Sequence, residues 1–83
     1  MKSEKQPHSI FFVNHDLKLV HGKMITGRVL QRLKNNRILV EINGKTIIAN
    51  SDLPFKKGTI FKAKIKIVEN GVSLKIDSYF ELS

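Results

Sequence analysis

The sequence predicts an all-β chain folded as one small antiparallel barrel. Three observations predict it. Two Asn-Gly dipeptides, Asn43-Gly44 and Asn70-Gly71, each lie between runs of alternating apolar and polar residues. A long β-rich run at 24–33 is interrupted by the single glycine Gly27. The chain has 83 residues, enough for one domain with one modest core. A two-residue hairpin turn of type I′ needs positive φ at both central positions, which Asn and Gly reach at low steric cost.

Taken in order, residues 1–8 are polar and read as a flexible lead, and residues 9–23 as an extension packed on the barrel. Within that extension Ile10, Val13, Leu17 and Val20 fit a helical face. Phe11-Phe12-Val13 and Leu17-Lys18-Leu19-Val20 also fit two short strands around Asn14-His15-Asp16, and extended structure is the reading adopted. The barrel spans 24–77. Its first strand, 24–33, carries Gly27, which marks a bend, a bulge or a close backbone approach. Lys34-Asn35-Asn36 makes the first turn.

The second strand, 37–42, puts Ile38, Val40 and Ile42 on one face and Arg37, Leu39 and Glu41 on the other. Asn43-Gly44 turns the chain into a third strand at 45–50. Pro54 and Gly58 exclude regular structure from the loop 51–58. In the fourth strand, 59–68, Phe61, Ala63, Ile65 and Ile67 face in while Lys62, Lys64 and Lys66 face out. Beyond Asn70-Gly71, the fifth strand sets Val72, Leu74 and Ile76 inward. In the tail, 78–83, Tyr79 and Phe80 are expected to cover an apolar end. Five antiparallel strands with a long, glycine-bent first strand fit an OB-like small barrel, with an SH3-like barrel as the alternative.

Composition narrows the function. The chain has no cysteine, so no disulfide framework or thiolate metal site is possible. Ile10-Phe11-Phe12-Val13 is too short for a signal-peptide core or a membrane span, so a cytoplasmic chain without a membrane partner is the expectation. Fifteen basic and seven acidic residues give a net charge of +8. The excess sits in the barrel: 24–77 holds eleven basic and four acidic residues, a net +7. Such a segment suits an anionic partner, either nucleic acid or an acidic protein. It also suits simple solubility.

Sites for catalysis are missing. Gly44-Lys45-Thr46 resembles the end of a phosphate-binding loop, but Leu39 stands where that motif needs glycine, and the triplet falls in a hairpin. His8, His15 and His21 are spaced seven and six apart, which fits no common zinc spacing, and they read as solvated. Ser9, His15 and Asp16 hold the residue types of a hydrolytic triad without an oxyanion pocket. The expectation is a non-catalytic module without cofactor or metal.

Cations form two groups. Lys62, Lys64 and Lys66 share a face that Lys75 can join, and Arg28, Arg32, Lys34 and Arg37 cluster about the first turn. Such a surface could follow a phosphate backbone. Bases would find no stacking partner on the second and third strands, whose outward positions hold no aromatic residue, so any binding would be electrostatic and of low specificity.

The segment 21–76 resembles a small β-barrel of bacterial proteins related to the flagellar hook-length control proteins. The matching stretches are Gly22-Lys23-Met24-Ile25-Thr26-Gly27-Arg28-Val29-Leu30, Ile38-Leu39-Val40-Glu41-Ile42-Asn43-Gly44-Lys45-Thr46 and Ala49-Asn50-Ser51-Asp52-Leu53-Pro54-Phe55-Lys56-Lys57-Gly58. Translation-initiation OB domains share a similar outline. The resemblance implies a free-standing or excised barrel linked to a flagellar or secretion system, and it brings no catalytic residues.

The favoured reading is a protein-binding adaptor that docks through Leu53, Pro54 and Phe55 with Lys56 and Lys57 beside them. The alternative is electrostatic nucleic-acid binding through Arg28, Arg32, Lys34, Arg37, Lys62, Lys64, Lys66 and Lys75.

Overall fold

Period-two alternation puts one set of side chains on each side of a strand, and strands that bury the same side can close on themselves. The computed structural model describes residues 9–13 and 17–81. In it the strands are β1 Ser9–Phe12, β2 Met24–Leu33, β3 Arg37–Ile42, β4 Lys45–Asn50, β5 Ile60–Val68 and β6 Gly71–Phe80. They form a closed barrel in the order β1-β4-β3-β2-β5-β6, with every pairing antiparallel. Ile38, Val40, Ile42, Phe61, Ala63, Ile65, Val72 and Leu74 are buried in it, as the alternation requires. Ile76 is half-buried, and Ile67 lies 43% exposed beyond the filled core.

The long strand serves two neighbours. Residues 24–28 of β2 pair with β5, and residues 27–33 pair with β3. Gly27 stands where the two pairings overlap, and it is a close approach. A Cβ there would come within 2.4 Å of Cζ of Phe61. Past Val29 the register with β3 shifts by one residue, leaving Leu30 without a partner.

The barrel has six strands where the sequence suggested five. β1 stands between β4 and β6, pairing Phe11 with Asn50 on one side and residues 9–12 with 72–75 on the other. Ile10 and Phe12 point into the core, at 0% and 2% exposure. The 9–23 extension is therefore part barrel wall. The 78–83 tail is corrected similarly: β6 continues to Phe80, in register with Ile60. Leu17–Val20 is not a strand, although Leu17 and Leu19 pack partly against the core. His21 is more than solvated, since its Nδ1 accepts a hydrogen bond from the Ile67 amide at 3.0 Å. Gly22 N–H donates to Ile65 O at 2.7 Å, and Ile65 N–H to Lys23 O at 2.8 Å. The expected lead at 1–8, the turn at 14–16 with its His15 and Asp16, and residues 82 and 83 of the tail lie outside the described residues.

The two Asn-Gly dipeptides do different work. Asn43 and Gly44 have φ of 52° and 79°, the type I′ requirement, and Gly44-Lys45-Thr46 lies in that hairpin. The second turn is centred one residue earlier, on Glu69-Asn70, because Val68 already pairs with Gly71. Gly71 is needed for space instead: a Cβ there would lie 2.4 Å from the Phe12 carbonyl oxygen.

The loop between β4 and β5 closes one barrel end. Ser51 is buried, accepting from Leu53 N–H at 3.2 Å and donating to Ser9 O at 3.3 Å. Thr59 Oγ1 accepts from Lys56 N–H at 3.2 Å, and Gly58 N–H donates to Val29 O at 2.7 Å. Held this way, Leu53 and Phe55 enter the core at 7% and 3% exposure. The end is thus covered by this loop, while Tyr79 and Phe80 are each 56% exposed. Among the described residues no helix is long and apolar enough to cross a membrane.

Candidate nucleic-acid interface

Directly opposed residues of antiparallel strands point to the same side, so cross-strand register reveals which outward side chains form lines. Arg37 pairs with Asn50, Asn50 with Phe11, Phe11 with Ser73, and Ser73 with Lys66. This row crosses β3, β4, β1, β6 and β5, four inter-strand spacings or about 19 Å of arc. A second row runs Ser9, Lys75, Lys64, Met24, and a third Ser78, Lys62, Thr26.

Electrostatics make the second row unusual. Lys64 and Lys75 stand directly opposite one another, an arrangement that costs stability. Their other partners in register are Met24 and Ser9, so no acid compensates within the row. All four lysines of this field, Lys62, Lys64, Lys66 and Lys75, are exposed. An anion laid along it would relieve the repulsion.

The structure joins some of the expected cations and separates others. Lys62, Lys64, Lys66 and Lys75 come together, and Arg37 ends the first row. Its Nε also donates to Lys34 O at 3.3 Å, at the turn where Lys34 sits. Arg28 is exposed and stands opposite Glu41 in the β2–β3 register. Arg32 is a correction. The register shift at Leu30 sets it opposite the buried Ile38, and its guanidinium donates to the Leu53 carbonyl. It holds the plugging loop rather than joining the basic face.

The docking loop is corrected too. Leu53 and Phe55 are buried, so the exposed apolar pair on which that reading stood is absent. Pro54, Lys56 and Lys57 remain exposed around it. The physical reason is that an open barrel end is itself an apolar surface, and this loop is the segment covering it.

Phe11 is the residue that sequence reasoning missed. β3 and β4 offer no aromatic side chain, but β1 supplies one beside β4. Phe11 is half-buried on the outer surface, and its ring lies over Gly71, where a Cβ would meet its Cζ at 3.0 Å. The signal was present in Ser9-Ile10-Phe11-Phe12: if Ile10 and Phe12 enter the core, Phe11 must face out. Next to this row Ile48, paired with Leu39, adds an aliphatic side chain 56% exposed.

A comparison with protein families matches residues 3–75 to the family described as the TP0910 S1-like domain. S1 domains have the OB fold, in agreement with the antiparallel barrel. The hook-length control resemblance has no counterpart in this match. No curated protein and no solved structure matches the chain.

Proposed function

The chain belongs to the TP0910 S1-like domain family, and from that premise we propose that it binds single-stranded nucleic acid across its outer barrel face. The observation that carries this reading is the line Arg37, Asn50, Phe11, Ser73 and Lys66 beside the lysine field of the next two rows. Sequence-tolerant single-strand binding needs a cationic track for the backbone and an aromatic face for bases. Lys62, Lys64, Lys66 and Lys75 supply the track. Phe11 supplies the face, and Asn50 and Ser73 flank it with hydrogen-bonding groups that suit a base edge or a ribose hydroxyl. With one aromatic platform, affinity rests mainly on phosphate contacts, and the domain acts as a binding module of low sequence specificity.

Anisotropy titration with labelled single-stranded RNA and DNA of about 12 nucleotides, inside the range one OB fold covers, tests this. Phe11→Leu keeps an apolar cover on Gly71 but removes the aromatic face, and weakens binding by about five- to tenfold, the low end of one stacked base. Lys64→Glu with Lys75→Glu abolishes it. Absence of binding to either probe at low salt overturns the proposal.

A further inference from the structure

We propose that the cleft between the plugging loop and the end of β6 is a second base-binding subsite that prefers bases carrying an exocyclic amino group. The inference rests on the single-strand reading above. The cleft, of about 480 Å³, is lined by Pro54, Phe55, Ile76, Asp77, Ser78 and Tyr79 among others. Its volume falls within the range of small-ligand sites.

Three observations make a base the fitting occupant. The first is an aromatic wall. Tyr79 is 56% exposed and tilted at 56° on the buried Phe55, with ring centroids 4.9 Å apart, and Phe55 in turn stacks on Phe61. Phe55 fixes the tyrosine ring from below and leaves it half open to solvent.

The second is charge. Lys62 is in register with Ser78 at the cleft's edge, and Lys75 stands two residues before Asp77 on β6. Tyr79 is in register with the buried Phe61 and so faces the inner side. A strand whose phosphates follow Lys75 and Lys62 on the outer side reaches Ser78, and it puts a base against Tyr79 by bending round the β6 edge at 76–80, which β1 leaves uncovered. Five paired steps along β6 separate Ser73, beside Phe11, from Tyr79, or roughly 17 Å. One oligonucleotide can reach both aromatic sites.

The third is the bulge. Pairing jumps from Ala63–Ile76 to Lys62–Ser78, so Asp77 is ejected from the ladder and lines the cleft. Among the described residues no strand pairs with 76–80 on the side away from β5. A carboxylate only accepts hydrogen bonds, so it favours a base that donates from an exocyclic amine, such as cytosine, over uracil, whose one ring N–H donor lies between two carbonyl oxygens that repel the carboxylate.

Tyr79 is the one tyrosine and the chain has no tryptophan, so its emission reports on this cleft alone. The test titrates the full chain with oligocytidylate and oligouridylate of equal length, following label anisotropy and tyrosine emission together. Oligocytidylate should quench Tyr79 and bind at least about fivefold tighter than oligouridylate. Asp77→Ala should remove that preference, and Phe11→Leu should weaken both oligomers equally. If both bind in a Phe11-dependent way while Tyr79 emission stays unchanged, or the preference survives Asp77→Ala, the cleft assignment is overturned and the outer-face reading stands. If neither binds, both are overturned.

Discussion

Asn43 and Asn70 occupy the same dipeptide, yet only Asn43 has positive φ, at 52°. An alanine held in that conformation costs about 1–2 kcal/mol, whereas asparagine is tolerated there. Asn43→Ala should lower unfolding free energy by about 1 kcal/mol, while Asn70→Ala should stay within about 0.5 kcal/mol of the parent. Paired urea denaturation curves decide it. Gly71 reverses the expectation drawn from turn chemistry. Its substitution by alanine drives a Cβ to 2.4 Å from the Phe12 carbonyl oxygen and should cost about 1–3 kcal/mol. The dipeptides thus announced both hairpins but not the role of each residue. Whether a glycine serves φ or space depends on what crosses it, and β1 crosses Gly71 from about sixty positions away in sequence.

β1 also separates what the sequence made legible from what it did not at the level of elements. Five strands were legible as strands, and three of them, β3, β5 and β6, showed their faces through alternation alone, because each is long enough to repeat a period of two. Ser9–Phe12 has only four residues, and its consecutive phenylalanines hide the alternation. Its role, filling the space between β4 and β6, is a matter of closure and so of the whole topology. The loop at 53–55 was misread for a related reason: an apolar pair beside proline looks the same whether it greets a partner or plugs its own barrel. The candidate site followed suit, its lysine field legible from alternation and its aromatic platform invisible until β1 joined the wall. Adjacent residues of β1 give the sharpest check. Phe12→Ala removes a ring only 2% exposed and should cost about 3–5 kcal/mol. Phe11→Leu, on the outer side, should cost less than about 1.5 kcal/mol and be read out in binding instead.

At the scale of the molecule, a net charge of +8 becomes functional only through its distribution. Lysines scattered for solubility would avoid one another, but Lys64 and Lys75 are directly opposed, with Met24 and Ser9 as their remaining neighbours in register. Directly opposed like charges cost a few tenths of a kcal/mol. The two explanations of the basic face therefore part company on one variant. If the lysines serve solubility alone, Lys75→Gln relieves the repulsion and changes nothing else. If they form a phosphate track, the same variant should gain about 0.2–1 kcal/mol in unfolding free energy while losing affinity for single strands. Salt dependence supplies the count. Log affinity should fall with log salt at about −0.7 for each phosphate neutralised, or roughly −3 for the four lysines together. Lys75→Gln should lower that slope by about 0.7, whereas Lys57→Gln, outside the rows, should leave it unchanged. A protein made more stable and less adhesive by one neutral side chain would identify the opposed lysines as held together for a ligand.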